Sequence, residues 1–389
     1  MKEQNPVILF PTPSFFPAQT GGPDNTCYWL TKALTSAGVK TIISSTDFGL
    51  PTQIKRGEWL NTDYGRIKYT HNLVHYMPIK TIWYGFLQMS KVNLIHLTMI
   101  TYPASWLTAL INHFTYRKQI VWSSRGDLDA YMLKRSPRKK KFVLWLINNV
   151  LGKEKIWFHA TCEAEVGYIR DQFGDVKIVQ ITNYMDIPQR VVQPKEKEIL
   201  FLGRIDKKKG IENLVEAVSQ SEIFLNSDFR IVIGGDEKHP YGQELINLVA
   251  SQNLQHKIIF VGHVSGIEKE KLLARAHFLI MPSHTENFGI VVTEALAQGT
   301  PAIASTGTPW KALADHQAGF WIDNDPESIK RILERVLSMS PAEYASYQEN
   351  ALRLVKEEFS MDANIGKWIA FYNFLSMEGK PAPEGLIAQ

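Results

Sequence analysis

The chain has 389 residues, more than one hydrophobic core commonly serves, so two domains are expected. With 44% hydrophobic and 21% charged residues, it is neither a mostly disordered, a collagen-like nor a coiled-coil chain. The net charge of +4 conceals an asymmetry: residues 1–190 hold 23 Lys and Arg against 13 Asp and Glu, whereas the remainder holds 20 against 26. A basic half suits a membrane surface, a nucleic acid or a phosphorylated ligand.

Two cysteines, Cys27 and Cys162, are too few for a disulfide framework, and no paired Cys/His spacing suggests zinc. The longest apolar stretch, Phe142 to Leu151, falls short of a membrane span and contains Asn148 and Asn149. The run Val7–Phe10 stops at Pro11 and Pro13, unlike a secretory leader. A cytoplasmic protein, in a reducing compartment, is the expectation.

Along the chain, short apolar runs alternate with amphipathic helical stretches. Strands are expected at Val7–Phe10, Lys40–Ser44, Leu94–Leu97, Ile120–Ser123, Ile156–Ala160 and Lys177–Ile181. They resume at Ile199–Gly203, Phe229–Ile233, Lys257–Val261, Phe278–Met281 and Ala302–Ala304. Strands separated by helices imply βαβ units and parallel sheets, hence an α/β protein of two doubly wound domains. Pro188, Pro194 and the charged run Lys195–Glu198 mark a linker. The domains are therefore placed at 1–190 and 191–359, with a C-terminal helical segment, 360–389, rejoining the first.

Ligands of open α/β sheets bind beyond the carboxyl ends of strands, so the loops there are the informative ones. After Ile199–Gly203 come Arg204 and Lys209, a planar fork and a point charge able to clamp a diphosphate. After Phe278–Met281 come Glu286, Asn287, Phe288 and Gly289, the last opening a helix whose early N–H groups can bind an anion. In that helix Glu294 sits among Ile290, Val291, Val292 and Leu296; a buried carboxylate needs partners, and two ribose hydroxyls would serve, the alternatives being a surface position on a half-buried helix or a structural pair with an Arg. After the first strand, Gly21-Gly22 lets the backbone approach a phosphate or sugar, although a tight loop has the same composition.

Together these segments resemble the retaining glycosyltransferases of family 4, which have the GT-B fold of two Rossmann-like domains facing a cleft. In the second half the shared pattern is Gly203-Arg204, Lys209-Gly210, Pro282-Ser283, Glu286 with Phe288-Gly289, and Glu294-Ala295. The first half matches more loosely, through Gly21-Gly22, His96, Ser124-Arg125-Gly126 and His159-Ala160-Thr161 with Glu165, and is similar to bacterial enzymes that build surface polysaccharides such as lipopolysaccharide. The resemblance implies that Arg204 and Lys209 hold the donor diphosphate and Glu286 the donor sugar. It has Asn287, Phe288, Gly289 and Ile290 meet sugar and phosphates, Glu294 the ribose, and Val264, in Gly262-His263-Val264, the base. It adds Gly22 and Arg125 to the donor-binding set and gives the acceptor to the N-terminal domain. Two departures stand out. Arg125 replaces a frequent His and cannot act as a general base, which points it toward a donor phosphate or an acidic acceptor. Thr182-Asn183-Tyr184 replaces the family's Pro-Asn-Gly turn.

Asp127-Leu128-Asp129 and Asp323-Asn324-Asp325 spell a D-x-D pattern that binds metal in another glycosyltransferase fold; here no metal and no cofactor is expected. The basic run Lys134–Lys141 leads into Phe142–Leu151, where Trp145 falls beside Asn148 and Asn149. It reads equally as a core helix with a solvated start and as a membrane-surface contact. Seven of the ten tryptophans lie in residues 1–190, on the membrane side of that balance. No nucleic-acid-binding module is present. The expected partners are a nucleotide-sugar donor, UDP- or GDP-linked, and a glycan or lipid-linked acceptor. A same-fold epimerase or phosphorylase, and a non-catalytic partner subunit, stay open as alternatives.

Overall fold

The computed structural model describes residues 5–18, 22–74, 76–134, 136–376 and 382–388; Gly21 and Arg135 lie outside them. The chain divides into two compact units, residues 1–186 with 361–389, and residues 187–360.

Unit 1 runs β1 (Val7–Thr12), α1 (Gly22–Ser36), β2 (Lys40–Thr46), β3 (Trp59–Thr62), β4 (Gly65–Thr70), α2 (Ile79–Phe86), β5 (Leu94–Thr98), α3 (Pro103–Phe114), β6 (Gln119–Ser123), α4 (Ala130–Lys134), α5 (Pro137–Asn149), β7 (Ile156–Ala160), α6 (Glu163–Phe173) and β8 (Ile178–Gln180). The sheet order is β3-β4-β2-β1-β5-β6-β7-β8. All pairings are parallel except the β3–β4 hairpin, whose strands the apolar-run reading missed because they carry polar residues at Asn61, Thr62, Arg66 and Lys68. Alternate residues face opposite sides. Ile8, Phe10, Val121 and Trp157 meet α1 and the C-terminal helix, while Leu9, Ile95, Trp122 and Phe158 meet α3, α5 and α6.

Unit 2 runs β9 (Glu198–Leu202), α7 (Ile211–Ser219), α8 (Glu222–Leu225), β10 (Arg230–Gly234), α9 (Pro240–Ser251), β11 (Ile258–Gly262), α10 (Gly266–Arg275), β12 (Phe278–Met281), α11 (Ile290–Ala297), β13 (Ala302–Ser305), α12 (Ala312–Asp315), β14 (Gly319–Ile322), α13 (Pro326–Leu337) and α14 (Pro341–Glu358). Its all-parallel sheet is ordered β11-β10-β9-β12-β13-β14. Phe201, Ile231, Ile280 and Ile303 pack on α7, α9 and α13; Leu200, Val232, Leu279 and Ala304 pack on α10, α11 and α14. Both sheets are doubly wound, as the alternation of runs implies. Each has one place where the strand order reverses: between β1 and β5 in unit 1, and between β9 and β12 in unit 2.

The last helix, α15 (Met361–Ser376), returns to unit 1 and buries Trp368, Phe371 and Tyr372 against it. A directed chain of hydrogen bonds fixes it there. The Ile181 carbonyl can only accept, so the proton of His159 sits on Nε2 (2.8 Å) and Nδ1 accepts from the Ser123 hydroxyl (2.7 Å). Ser123 Oγ therefore accepts from His96 Nε2 (2.7 Å), and His96 Nδ1 accepts from the Tyr372 hydroxyl (2.6 Å). Both imidazoles are neutral and buried. Burial, then the neighbouring His159 ring and the Arg125 charge, holds His96 well below its ordinary pKa; burial and Arg125 hold His159 at about 3.

A histidine kept neutral by folding adds stability above its unfolded pKa and loses it as the pH falls toward the folded value. Between pH 7.5 and 5, His159 is expected to cost the fold about 2 kcal/mol, at ~1.4 kcal/mol per pH unit. Urea denaturation at the two pH values, on wild type and His159→Gln, checks this: the variant should lose that part of the pH dependence, and an unchanged slope would refute it.

Candidate donor and acceptor sites

In unit 2 the two motif loops leave the neighbouring strands β9 and β12, where the strand order reverses, the position open sheets reserve for ligands. Backbone contacts join the loops. The His284 N–H donates to the Lys208 carbonyl at 2.8 Å. Gly210, in the left-handed region at φ 61°, lies so close to Pro282 that a Cβ would stand 2.2 Å from its carbonyl oxygen. Asp206 accepts from the Lys208 N–H at 3.0 Å and tightens the turn that carries Lys209.

This packing brings Lys209 onto Glu286: the ammonium donates to Oε2 of the carboxylate, and each side chain is 13% exposed. The sequence reading gave the pair separate ligands; in the structure they hold each other. Burial pushes the Glu286 carboxyl up. The charges of Lys209 and Lys208, with hydrogen bonds from Lys209 and the Asn287 N–H, outweigh it and hold the group below its ordinary value. Arg204 is exposed and makes no ion pair or hydrogen bond among the described residues, so it remains open to an anion.

Gly289 stands at φ 75° just before α11, where a Cβ would meet the Met281 side chain at 2.7 Å. The helix therefore starts directly over the end of β12. Ile290 and Asn287 are partly buried there, and the Asn287 Oδ1 is buried without a partner among the described residues. Phe288 departs from expectation. Its carbonyl accepts from Trp310 Nε1, and its ring packs on Trp310 and Phe359 at 5.2 and 5.8 Å, so its carbonyl and side chain both belong to the core. Glu294 has a partner within the chain: its carboxylate receives a 2.6 Å hydrogen bond from Lys269 on α10. The cation that answers it is a lysine 25 residues away, a pairing no sequence spacing announces. Val264 is partly buried against the α10–α11 core, and His263 beside it is exposed.

Three strand ends carry glycine. The Gly203 N–H reaches the Gly234 carbonyl at 3.0 Å, and the Gly235 N–H reaches Gly262 at 2.8 Å. A Cβ on Gly235 would lie 2.3 Å from the Gly203 carbonyl oxygen. The signal for these positions was present in the sequence, as a glycine after each apolar run, but only Gly203 and Gly262 were drawn into the reading.

In unit 1, Gly22 is the first residue of α1, beyond the end of β1. Arg125 follows β6 in the left-handed region at φ 52°. Its Nη1 donates to Asn183 Oδ1, and its Nε is buried without a partner among the described residues. Burial pulls the guanidinium below its ordinary pKa, against the opposing charge of Glu165. Glu165 ties the loops after β6 and β7 together, accepting from Ser124 Oγ (2.7 Å), Gly126 N–H (2.6 Å), and the N–H and hydroxyl of Thr161 (2.8 and 2.7 Å). Arg125, Asn183, Tyr184 and Trp368 line one small cavity. This cavity lies in unit 1 and the cluster around Glu286 in unit 2.

The aspartates of the D-x-D patterns have local work. Asp127 accepts from the Thr101 N–H and hydroxyl and from Lys140 at 2.8 Å, and Asp129 accepts from the Met132 N–H. Asp325 caps α13 through the Ser328 N–H, and Asp323 accepts from Thr306. Among the described residues no group of three or more His, Cys, Asp or Glu is placed to hold a metal ion, and no helix is long and apolar enough to cross a membrane.

Residues 185–353 match the family model described as glycosyl transferases group 1. The match spans nearly the whole of unit 2. A curated relative, an uncharacterized glycosyltransferase of Methanocaldococcus jannaschii, is 37% identical over 180 residues, covering 45% of this chain. The chain spans only 44% of that relative's length. Among solved structures, sucrose-phosphate synthase from Thermosynechococcus elongatus aligns with a TM-score of 0.72 at 18% identity, covering 95% of this chain and 99% of that one. Anabaena HepE in complex with UDP and glucose aligns with a TM-score of 0.72 at 17% identity, covering 94% and 98%. These likenesses establish the fold: units 1 and 2 are the two Rossmann-like halves of a GT-B chain.

The Lys209–Glu286 pair makes a stability prediction. Lys209→Met leaves a mostly buried carboxylate unanswered and should cost about 2–3 kcal/mol, somewhat under the ~3–5 of a fully buried pair. Adding Glu286→Gln should recover most of the loss. Urea denaturation of the two variants reads it; equal stability of Lys209→Met and wild type would show the pair to be idle.

Proposed function

We propose that the chain is a retaining glycosyltransferase, moving a hexose from a UDP- or GDP-linked donor to a hydroxyl of a glycan or lipid-linked acceptor. The observation that carries this is the cluster at the β9–β12 reversal: exposed, unpaired Arg204 in the loop that also delivers Lys209 to Glu286, beside the start of α11 at Gly289. On this reading the donor diphosphate takes Arg204 and Lys209, and the sugar hydroxyls take the Glu286 oxygens that Lys209 otherwise occupies. The pair keeps both charges satisfied and in place until the donor replaces it. Gly289 and Ile290 offer backbone to the sugar, Asn287 offers its unpartnered oxygen, Val264 packs on the base, and Glu294, with Lys269, receives the ribose. Support comes from the group 1 family match and from the likeness to a structure solved with UDP and glucose.

In the reaction, the acceptor oxygen forms its bond to the anomeric carbon on the face from which the diphosphate departs. The carbon–oxygen bond to the diphosphate breaks, and the acceptor proton passes to a leaving phosphate oxygen. Arg204 and Lys209 stabilise the charge that develops there, without metal or cofactor. The acceptor belongs to cell-surface polysaccharide synthesis, lipopolysaccharide included, at the inner face of the cell membrane. There the exposed Arg138, Lys139, Lys141, Phe142 and Trp145 of α5 would meet lipid. Lys140, tied to Asp127, is not part of that contact.

Thermal unfolding with UDP, GDP and ADP, on wild type and Arg204→Ala, tests the donor site. One nucleotide should raise the melting temperature of wild type and fail to do so in the variant, because a ligand confined to the folded state stabilises it. Glu286→Ala should lower transfer by about a hundredfold or more; near-wild-type transfer in both variants would overturn the assignment. Donor conversion without acceptor would indicate an epimerase, and a demand for inorganic phosphate a phosphorylase.

A further inference from the structure

α2 presents apolar residues on two faces. Its inner face is fastened to the sheet: Ser44 donates to the Thr81 carbonyl at 2.7 Å, Thr70 and Thr81 share a 2.6 Å hydrogen bond, and Thr81, Ile82 and Gly85 are buried. Its outer face is apolar as well, with Ile79 68% exposed, Trp83 55% and Leu87, just past its end, 43%, at i, i+4 and i+8. The loop leading into it adds Leu73, exposed at 96%, and Val74, Tyr76 and Met77. A helix with apolar residues on its inner and outer faces alike suits a protein core or a lipid surface, and α2, whose exposed cation is Lys80, is held at the surface.

Charge decides the occupant. Between Asp63 and Asp127 the chain has no acidic residue. Of the basic residues in that stretch, Lys68 is buried over the Tyr84 ring, Arg117 pairs with Glu154 and Arg125 is held by Asn183, whereas Lys80 and Lys91 are exposed on and beside α2 without an ion pair among the described residues. The carboxylate beside the loop, Asp47, is tied to Arg56 and His71. Aliphatic side chains, Trp and Tyr rings, and two exposed amines are the composition of a surface that rests in an anionic bilayer interface.

We propose that loop 73–78 and the outer face of α2 form a lipid-inserting surface, with Lys80 and Lys91 meeting anionic headgroups. This deepens the membrane part of the functional reading and rests on it, but assigns insertion to a different element from α5, whose exposed face is mainly cationic. Cosedimentation with vesicles of phosphatidylcholine, alone or mixed with phosphatidylglycerol, tests it on the full chain. Wild type should pellet with the mixed vesicles and much less with phosphatidylcholine alone. Ile79→Ser/Trp83→Ser should reduce the bound fraction by about tenfold, with the nucleotide-induced melting shift unchanged. Phe142→Ser/Trp145→Ser should reduce it less. Absence of pelleting by wild type, or a Ile79→Ser/Trp83→Ser variant that pellets as wild type does, would overturn the proposal. So would a wild-type dimer in sedimentation velocity that this variant converts to monomer, since a second copy would then cover the face. Vesicle binding of the predicted kind with no nucleotide shift would uphold the lipid surface and overturn the donor-site reading instead.

Discussion

The reversal of strand order between β9 and β12 is the constraint on which the rest of unit 2 depends. Connections from β9 lead to β10 and β11 on one side, and those from β12 lead to β13 and β14 on the other. At the reversal, the loops leaving two adjacent strands diverge, opening a gap over their carboxyl ends. Everything chemical in the unit hangs on that gap. Lys209 and Glu286, 77 residues apart, meet because their strands are neighbours. The loops can approach closely only because Gly210 and Gly289 have no Cβ, and each occupies a backbone conformation that other residues seldom adopt.

Unit 1 uses the same topology for a different end. Its reversal lies between β1 and β5, and the groups that gather beyond β6 and β7 are buried and hydrogen-bonded rather than open. The run from Ile181 through His159, Ser123 and His96 to Tyr372 has one permitted direction, because a carbonyl stands at one end. A directed network of this kind specifies one docking of α15: a shift along the helix axis would carry Tyr372 away and leave His96 Nδ1 without its donor. Glu165, with four donors, does the same for the loop that sets Arg125. Unit 1 thus holds a rigid floor beneath the arginine, which is what a side chain at an unusual φ requires if it is to stay there.

Much of this was legible in the sequence, and the reason is physical. Parallel strands buried on both faces must be apolar runs, so β1, β5, β6, β7, β9, β12 and β13 announce themselves. The β3–β4 hairpin lies at the sheet edge with polar residues along it, and gives no such signal. The strand-end motifs were visible because glycine and cationic residues there break the apolar pattern. What could not be read was pairing. Nothing in the spacing of Lys269 and Glu294, of Lys140 and Asp127, or of Arg125 and Asn183 says that they meet. Those contacts depend on sheet order and helix rotation, which residue types alone leave open. Phe288 shows the opposite failure: motif position suggested backbone open to a ligand, and packing against Trp310 took its carbonyl for the core.

The exposed charges and the buried ones then divide the labour. Lys140, Lys209, Lys269 and Arg125 each have a fixed partner, so their energies are spent on holding loops in place. Arg204 is left uncommitted at the β9–β12 gap, and Lys80 and Lys91 beside an apolar helix face. An uncommitted cation in water contributes little to stability, and its placement is therefore explained by what it meets rather than by what it holds. On the two proposals made above, the uncommitted sets would answer two different anions: a mobile diphosphate at the strand ends of unit 2, and a fixed layer of lipid phosphates at the helical face of unit 1.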